Sequence, residues 1–225
     1  MFHVKLCGIT TVDDALAAAR AGADAVGLNF YDKSRRYVSP DVAKEIAAVL
    51  PEGICRVGLF VNAPVQMITE LFDSVPLDLI QLHGDEPPEY IAGLGHRPVM
   101  RAMRLGPDGL APIDDYLRRC AKLDCVPDYL LLDAYVKGQY GGTGQTADWT
   151  TAARYVSEHQ PATDDWYPPL VLAGGLTPEN VGAAIRTVKP EAVDTAGGVE
   201  SSPGRKDEEL CRRFCEEAKA AFGAV

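Results

Sequence analysis

Residues 2–30 read FHVKLCGITTVDDALAAARAGADAVGLNF, and the order of patterns in this stretch decides the fold. A short β-rich run, FHVKLC, stops at Cys7, where the last side chain is left at a rim rather than in a core. Thr11 with Asp13 then marks a helix start, VDDALAAARAG is amphipathic, and DAVGLNF is strand-like again. The same alternation runs on through PDVAKEIAAVL, ICRVGLFV, PVQMITELFDSV, DLIQLH, EPPEYIAGL, PVMRAMR, GLAPIDDYLRRCAKL, DYLLLDA, DWTTAARYVSEH, PLVLAGG, TPENVGAAIRTV, AVDTAG and KDEELCRRFCEEAKAAF. That is eight strand-then-helix units. Near-continuous apolar strands separated by helices pair in parallel with the helices outside the sheet, and eight units are what a closed (β/α)8 barrel of the α/β class requires. A doubly wound sheet would carry GxGxxG after its first strand, whereas CGIT follows here.

The length of 225 residues suits one large α/β domain, so a single barrel domain over residues 1–225 is expected. A formal net charge of -10 argues against a surface that wraps nucleic acid. Small anionic ligands stay open, because a local site can be positive inside an acidic protein. No apolar stretch approaches the roughly 18 residues of a membrane helix, and the N-terminus reads directly as structure. A cytoplasmic protein is the expectation, as monomer or homodimer, with no membrane partner. Six cysteines, at 7, 55, 120, 125, 211 and 215, form no CxxC pair and point to neither disulfides nor zinc.

The active end of such a barrel is the C-terminal end of its strands. Strand ends here offer Cys7, Asn29, His83, Arg101 to Arg104, Asp133, Gly174 and Gly175, and Asp194 to Gly198. In LAGGLTPEN a helix is expected to open at Thr177 with Pro178 behind it. The paired glycines Gly174–Gly175 and Gly197–Gly198 follow strands seven and eight, where backbone N–H groups of this fold often hold a phosphate. A phosphate ester is therefore expected in the ligand.

The motifs KLCGIT, SRRYVSP, VGLFVN, IQLHGDE, LLLDA with GGTGQTADW, LAGGLTPENV and VDTAGGVESSPGRKD together resemble phosphoribosylanthranilate isomerase, from the first strand to the last helix. The resemblance implies an Amadori rearrangement of N-(5-phosphoribosyl)anthranilate in tryptophan biosynthesis. It also implies that Asp133 is the general acid, that Cys7 is the base, and that Arg36 faces the anthranilate carboxylate. His83, Asp194, Gly142, Gly174, Gly175, Gly197 and Gly198 are implied as substrate-binding. The substrate is an aminal that opens to an iminium on protonation, so one acid and one base suffice and neither cofactor nor metal is expected. Asp133 should then have a raised pKa, and amide dipoles near Cys7 should lower that of its thiol.

Two departures from the family pattern bear on the ligand. DTAGGVE replaces two usual polar side chains by Ala196 and Gly197, so phosphate binding would rest on backbone amides or on Thr195 turned inward. Asn29 stands where an apolar residue is more usual and raises the question of a second substrate, such as the aminal of the histidine pathway. Indoleglycerol-phosphate synthase would need a lysine acid at a strand end, and a metal-dependent epimerase paired His and Asp ligands. A catalytically silent binding barrel would have lost Cys7 or Asp133.

Overall fold

The structure, a computed structural model, describes residues 2–133, 149–159 and 167–224. Eight parallel strands close into a barrel: β1 Val4–Cys7, β2 Ala25–Asn29, β3 Cys55–Phe60, β4 Leu79–Leu82, β5 Val99–Arg104, β6 Tyr129–Asp133, β7 Leu170–Ala173 and β8 Ala192–Thr195, with β8 paired back onto β1. The strands are followed in turn by α1 Val12–Ala21, α2 Pro40–Val49, α3 Val65–Ser74, α4 Pro88–Ala92, α5 Ala111–Lys122, α6 Trp149–Glu158, α7 Val181–Val188 and α8 Glu208–Phe222. Between β8 and α8 a turn of 3-10 helix, Gly197–Val199, leads into an antiparallel hairpin of β9 Glu200–Ser202 and β10 Arg205–Lys206, which the alternation alone does not announce. Among the described residues, no helix is long and apolar enough to cross a membrane.

Each strand has two buried faces because side chains alternate across it. Val4, Leu6, Val26, Leu28, Leu130 and Leu132 point outward into a core shared with the helices. Val57, Leu79, Met100, Leu131 and Val171 point inward and fill the barrel as a separate cluster, closed below by Phe2 on Tyr129 with ring centroids 5.3 Å apart. The alternation that fixes this inward set also turns Lys5, Cys7, Asn29, Gln81, His83, Asp133 and Asp194 to the inside, and all but Lys5 line the cavity at the mouth.

Local chemistry pins the elements. Thr11 Oγ1 accepts from Asp14 N at the start of α1, and Asp207 Oδ1 accepts from Leu210 N at the start of α8. At the opposite end of the barrel an aspartate stands just before each of β2, β4 and β6. Asp24 accepts from Val4 N (2.9 Å), Asp78 from Arg56 N (2.8 Å) and Asp128 from Val99 N (2.8 Å), which fixes the register of each strand with its predecessor. The loop after β4 is held by a buried ion pair, Arg101 Nη1 to Glu86 Oε2 at 2.8 Å. Glu86 also accepts from the backbone of Asn62 and Gly84, so the loops after β3 and β4 form one unit.

One boundary differs from the sequence expectation. The seventh helix begins at Val181, not Thr177, because Asn180 turns its side chain back into the loop: Oδ1 accepts from Thr177 N (2.8 Å) and Nδ2 donates to Gly175 O (3.0 Å). Residues 178–180 are a turn that holds the glycine loop before the helix proper starts.

Candidate functional site

A cavity of about 1050 Å³ opens at the C-terminal ends of the strands. Cys7, Arg36, His83, Asp133, Gly174, Gly175, Asp194, Gly197 and Gly198 all line it. Gly142 lies outside the described residues, as does most of GGTGQTADW.

Cys7 ends β1, only 7% exposed. Room for its sulfur comes from Gly27 on the neighbouring strand, where a Cβ would lie 2.6 Å from Cys7 Sγ. Burial pushes the thiol above its ordinary pKa, and the ammonium groups of Lys5 and Lys206 only partly offset this. The sequence expectation of a lowered thiol is thus reversed: burial outweighs the neighbouring charges, and the resting group is a thiol.

Lys5, two residues before Cys7, is fully buried and pairs with Asp194, Nζ to Oδ1 at 2.8 Å. Burial works against its charge, but Asp194 and then Cys7 outweigh it and leave the ammonium above its ordinary value. His83 is pushed down by burial, so its imidazole is neutral at neutral pH. The Gln81 amide nitrogen lies 2.9 Å from His83 Nδ1, an arrangement that leaves the ring proton on Nε2.

Arg36 reaches the site from the loop after β2. Glu200 grips it through both carboxylate oxygens, at 2.7 Å from Nε and 2.7 Å from Nη2. The same carboxylate accepts from Lys206 Nζ (3.1 Å), which also donates to Cys7 O (2.6 Å) and Ala196 O (3.0 Å). Arg36 and Lys206 together hold Glu200 below its ordinary pKa despite its burial. The β9–β10 hairpin thus clamps the end of β1, the loop after β8 and the Arg36 guanidinium into one assembly.

Asn29 serves this loop too. Its Oδ1 accepts from Tyr31 N (2.9 Å), its Nδ2 donates to Ser34 Oγ (3.1 Å), and Ser34 Oγ accepts from Arg36 N (3.1 Å). The polar residue at this strand end is engaged in shaping the arginine loop.

On the far side the two glycine loops meet. Gly174 and Gly175 have φ of 97° and 64°, in the left-handed region that favours glycine. Gly198 packs so tightly on Leu176 O that a Cβ there would overlap it. Thr195 Oγ1 donates to Leu176 O at 2.7 Å, which ties the loops together and commits the hydroxyl proton.

Residues 4–217 match the family described as N-(5'phosphoribosyl)anthranilate (PRA) isomerase. The chain belongs to that family of isomerases. It is 47% identical over 220 residues to an N-(5'-phosphoribosyl)anthranilate isomerase of Geobacter sp. (strain M21), covering 97% of this chain and 98% of the relative. Its fold superposes on the crystal structure of phosphoribosyl anthranilate isomerase from Thermotoga maritima with a TM-score of 0.83 at 39% identity, covering 98% of this chain and all of that one. A second such structure, solved in complex with reduced 1-(o-carboxyphenylamino)-1-deoxyribulose 5-phosphate, gives a TM-score of 0.80 at 38% identity over 98% and 100% of the two chains.

Three participants in this family member's site escape a search of strand ends. Lys5 is one alternation inside the strand end, and its signal is the alternation itself, since Lys5 and Cys7 share a face of an otherwise apolar strand. Glu200 and Lys206 belong to a hairpin that no periodicity marks.

Proposed function

We propose that the protein converts N-(5-phosphoribosyl)anthranilate to 1-(o-carboxyphenylamino)-1-deoxyribulose 5-phosphate in tryptophan biosynthesis, with Asp133 as general acid and Cys7 as general base. The observation that carries this reading is the shared mouth: Cys7 at the end of β1 and Asp133 at the end of β6 line one cavity with Arg36 and both glycine loops. The carboxyl of Asp133 gives its proton to the ring oxygen, the C1–O bond breaks, and the anilino nitrogen supplies its lone pair to form the iminium. The C2 proton, acidified by that iminium, passes to the Cys7 sulfur, and the C2–H pair becomes the C1–C2 double bond of an enol-amine. Ketonisation then completes the product. Two positioned proton transfers of this kind contribute typically about 10²–10⁴-fold each.

Substrate placement follows from charge. The planar Arg36 fork suits the anthranilate carboxylate, and neutral His83 can pack on the anthranilate without adding charge. With the Thr195 hydroxyl donated to Leu176 O, phosphate binding falls to the backbone amides of the two glycine loops. Asp194 meets a sugar hydroxyl. The test is the loss of anthranilate-type fluorescence when freshly generated phosphoribosylanthranilate meets wild type, Cys7→Ser and Asp133→Asn. Rapid loss with wild type and severe loss of activity in both folded variants is expected; a variant with wild-type turnover removes that residue from its role.

A further inference from the structure

The barrel interior is filled mostly by apolar side chains; among the described residues Gln81 and Lys5 are the fully buried polar groups on the inward faces of the strands, and Lys5 is the one that carries a charge. A methionine of similar length would fill the same space without the penalty of taking an ammonium out of water. The cation is held by Asp194 at 2.8 Å and shares the inward face of β1 with Cys7, two residues on. Among the described residues the charged and titratable groups around the sulfur are few. Lys5 comes from β1, Asp194 from β8, Lys206 with its partner Glu200 from the hairpin, and Arg36 from the loop after β2; β2 itself contributes only Gly27, while His83 and Asp133 face the same cavity. Arg36 and Lys206 are both committed to Glu200, and Lys206 reaches Cys7 through its carbonyl oxygen. Among the described residues, Lys5 is the cation that shares an inward strand face with the sulfur, two residues away and likewise buried from solvent.

We propose that Lys5, anchored by Asp194, is the positioning residue of the base, and that its ammonium steadies the Cys7 sulfur while that sulfur is charged. The proposal rests on Cys7 as base and adds what makes a buried thiol serve as one. A buried sulfur resists ionisation. A thiolate between the substrate C2–H and a fixed ammonium loses that penalty in part, and taking the proton returns the site to thiol, ammonium and carboxylate, a neutral set. The thiol proton leaves to solvent before the substrate closes the mouth, and Lys5 stays protonated throughout. Asp194 acts in the opposite sense: it holds Lys5 in place, while its own negative charge opposes the thiolate.

This opposition gives the test its sign. The rate of Cys7 alkylation by iodoacetamide is followed against pH, with the Cys7 peptide quantified by mass spectrometry, in wild type, Lys5→Met, Asp194→Asn and the double variant. The midpoint should rise in Lys5→Met, and Cys7 becomes roughly tenfold less reactive at neutral pH for every pH unit by which the midpoint rises. It should fall in Asp194→Asn, and it should rise by a smaller amount in the double variant, because Lys5 outweighs Asp194 at the sulfur. The pH dependence of kcat should move with the midpoint in each variant. If Lys5→Met does not fold, the double variant, which leaves no unpaired buried charge, carries the test. Unmoved midpoints in folded variants, or single variants whose midpoints move in the same direction, overturn the proposal. Because alkylation reports the thiol whether or not it is catalytic, a fully active Cys7→Ser would instead overturn the assignment of the base.

Discussion

Gly27→Ala tests the position of the sulfur directly. The added Cβ would lie 2.6 Å from Cys7 Sγ and 3.0 Å from Cys7 Cα, against an optimal non-bonded separation of about 3.5 Å or more. The Cys7 side chain therefore has to withdraw by about 1 Å or change rotamer, since the paired backbones of β1 and β2 leave little room to move apart. A misplacement of that size costs on the order of 10²-fold in rate when the displaced group carries the chemistry. Overpacking in a tight interior costs about 1–3 kcal/mol of stability. The assay is kcat/KM by fluorescence loss alongside thermal unfolding, with Gly106→Ala as control, because a Cβ at Gly106 meets nothing within 4 Å. The expected result is a folded Gly27→Ala enzyme with kcat down by about two orders of magnitude and a control that matches wild type. A folded Gly27→Ala protein with wild-type kcat refutes the reasoning, since the sulfur would then be free to move without consequence.

Arg101→Met leaves Glu86, with a side chain 1% exposed, without its counter-charge; a loss of about 3–5 kcal/mol by denaturant unfolding is expected, and an unchanged midpoint would count against the buried pair as an anchor of the loops after β3 and β4. Glu200→Gln removes the carboxylate shared by Arg36 and Lys206. Glu200 is held below its ordinary pKa in the folded protein, so its stabilisation is complete above the unfolded carboxyl value of about 4.3 and is lost as pH falls through the folded value. The variant should be less stable at neutral pH and should lose less of its remaining stability on acidification, which urea titrations at several pH values would read; parallel pH curves for the two proteins would reject the coupling.

The barrel is legible in the sequence because near-continuous apolar strands and amphipathic helices alternate eight times, and closure follows from that number. The mouth is legible for the same reason: naming strand ends places Cys7, His83, Asp133 and Asp194 on one rim. What alternation cannot supply is tertiary partnership. Glu200 grips Arg36 across 164 positions of sequence, and Lys206 reaches Cys7 O across 199. The start of α7 is displaced because Thr177 and Pro178 have the right chemistry to open a helix, but the Asn180 side chain competes for the same backbone and delays it. Asn29, the residue that raises the question of a second substrate, lines the cavity with both ends of its amide engaged by Tyr31 and Ser34, a partnership that its position in the sequence does not announce. The thiol of Cys7 shows the limit most sharply, since neighbouring dipoles can be inferred from a strand end while burial cannot.

An acidic chain that binds a phosphorylated carboxylate must concentrate positive charge where it counts. Here that is done by sharing. Lys5 and Asp194 cancel, while Glu200 serves two cations, Arg36 and Lys206, so that cluster keeps one net positive charge behind the mouth. Arg104 adds a further cation on the cavity wall, in register with Asp133 on the adjacent strand. The carboxylates that give the chain its formal charge of -10 lie largely elsewhere, several of them in ion pairs on the outer helices, such as Glu209 and Glu216 with Arg212 on α8. Glu200 takes charge away from the mouth and returns order: a guanidinium gripped through two 2.7 Å contacts is held in one orientation at the cavity wall. Freezing such a side chain only on binding would cost about 0.5–1.5 kcal/mol. The arrangement gives up field strength for geometry, which is the better exchange where a planar carboxylate has to be held in one orientation.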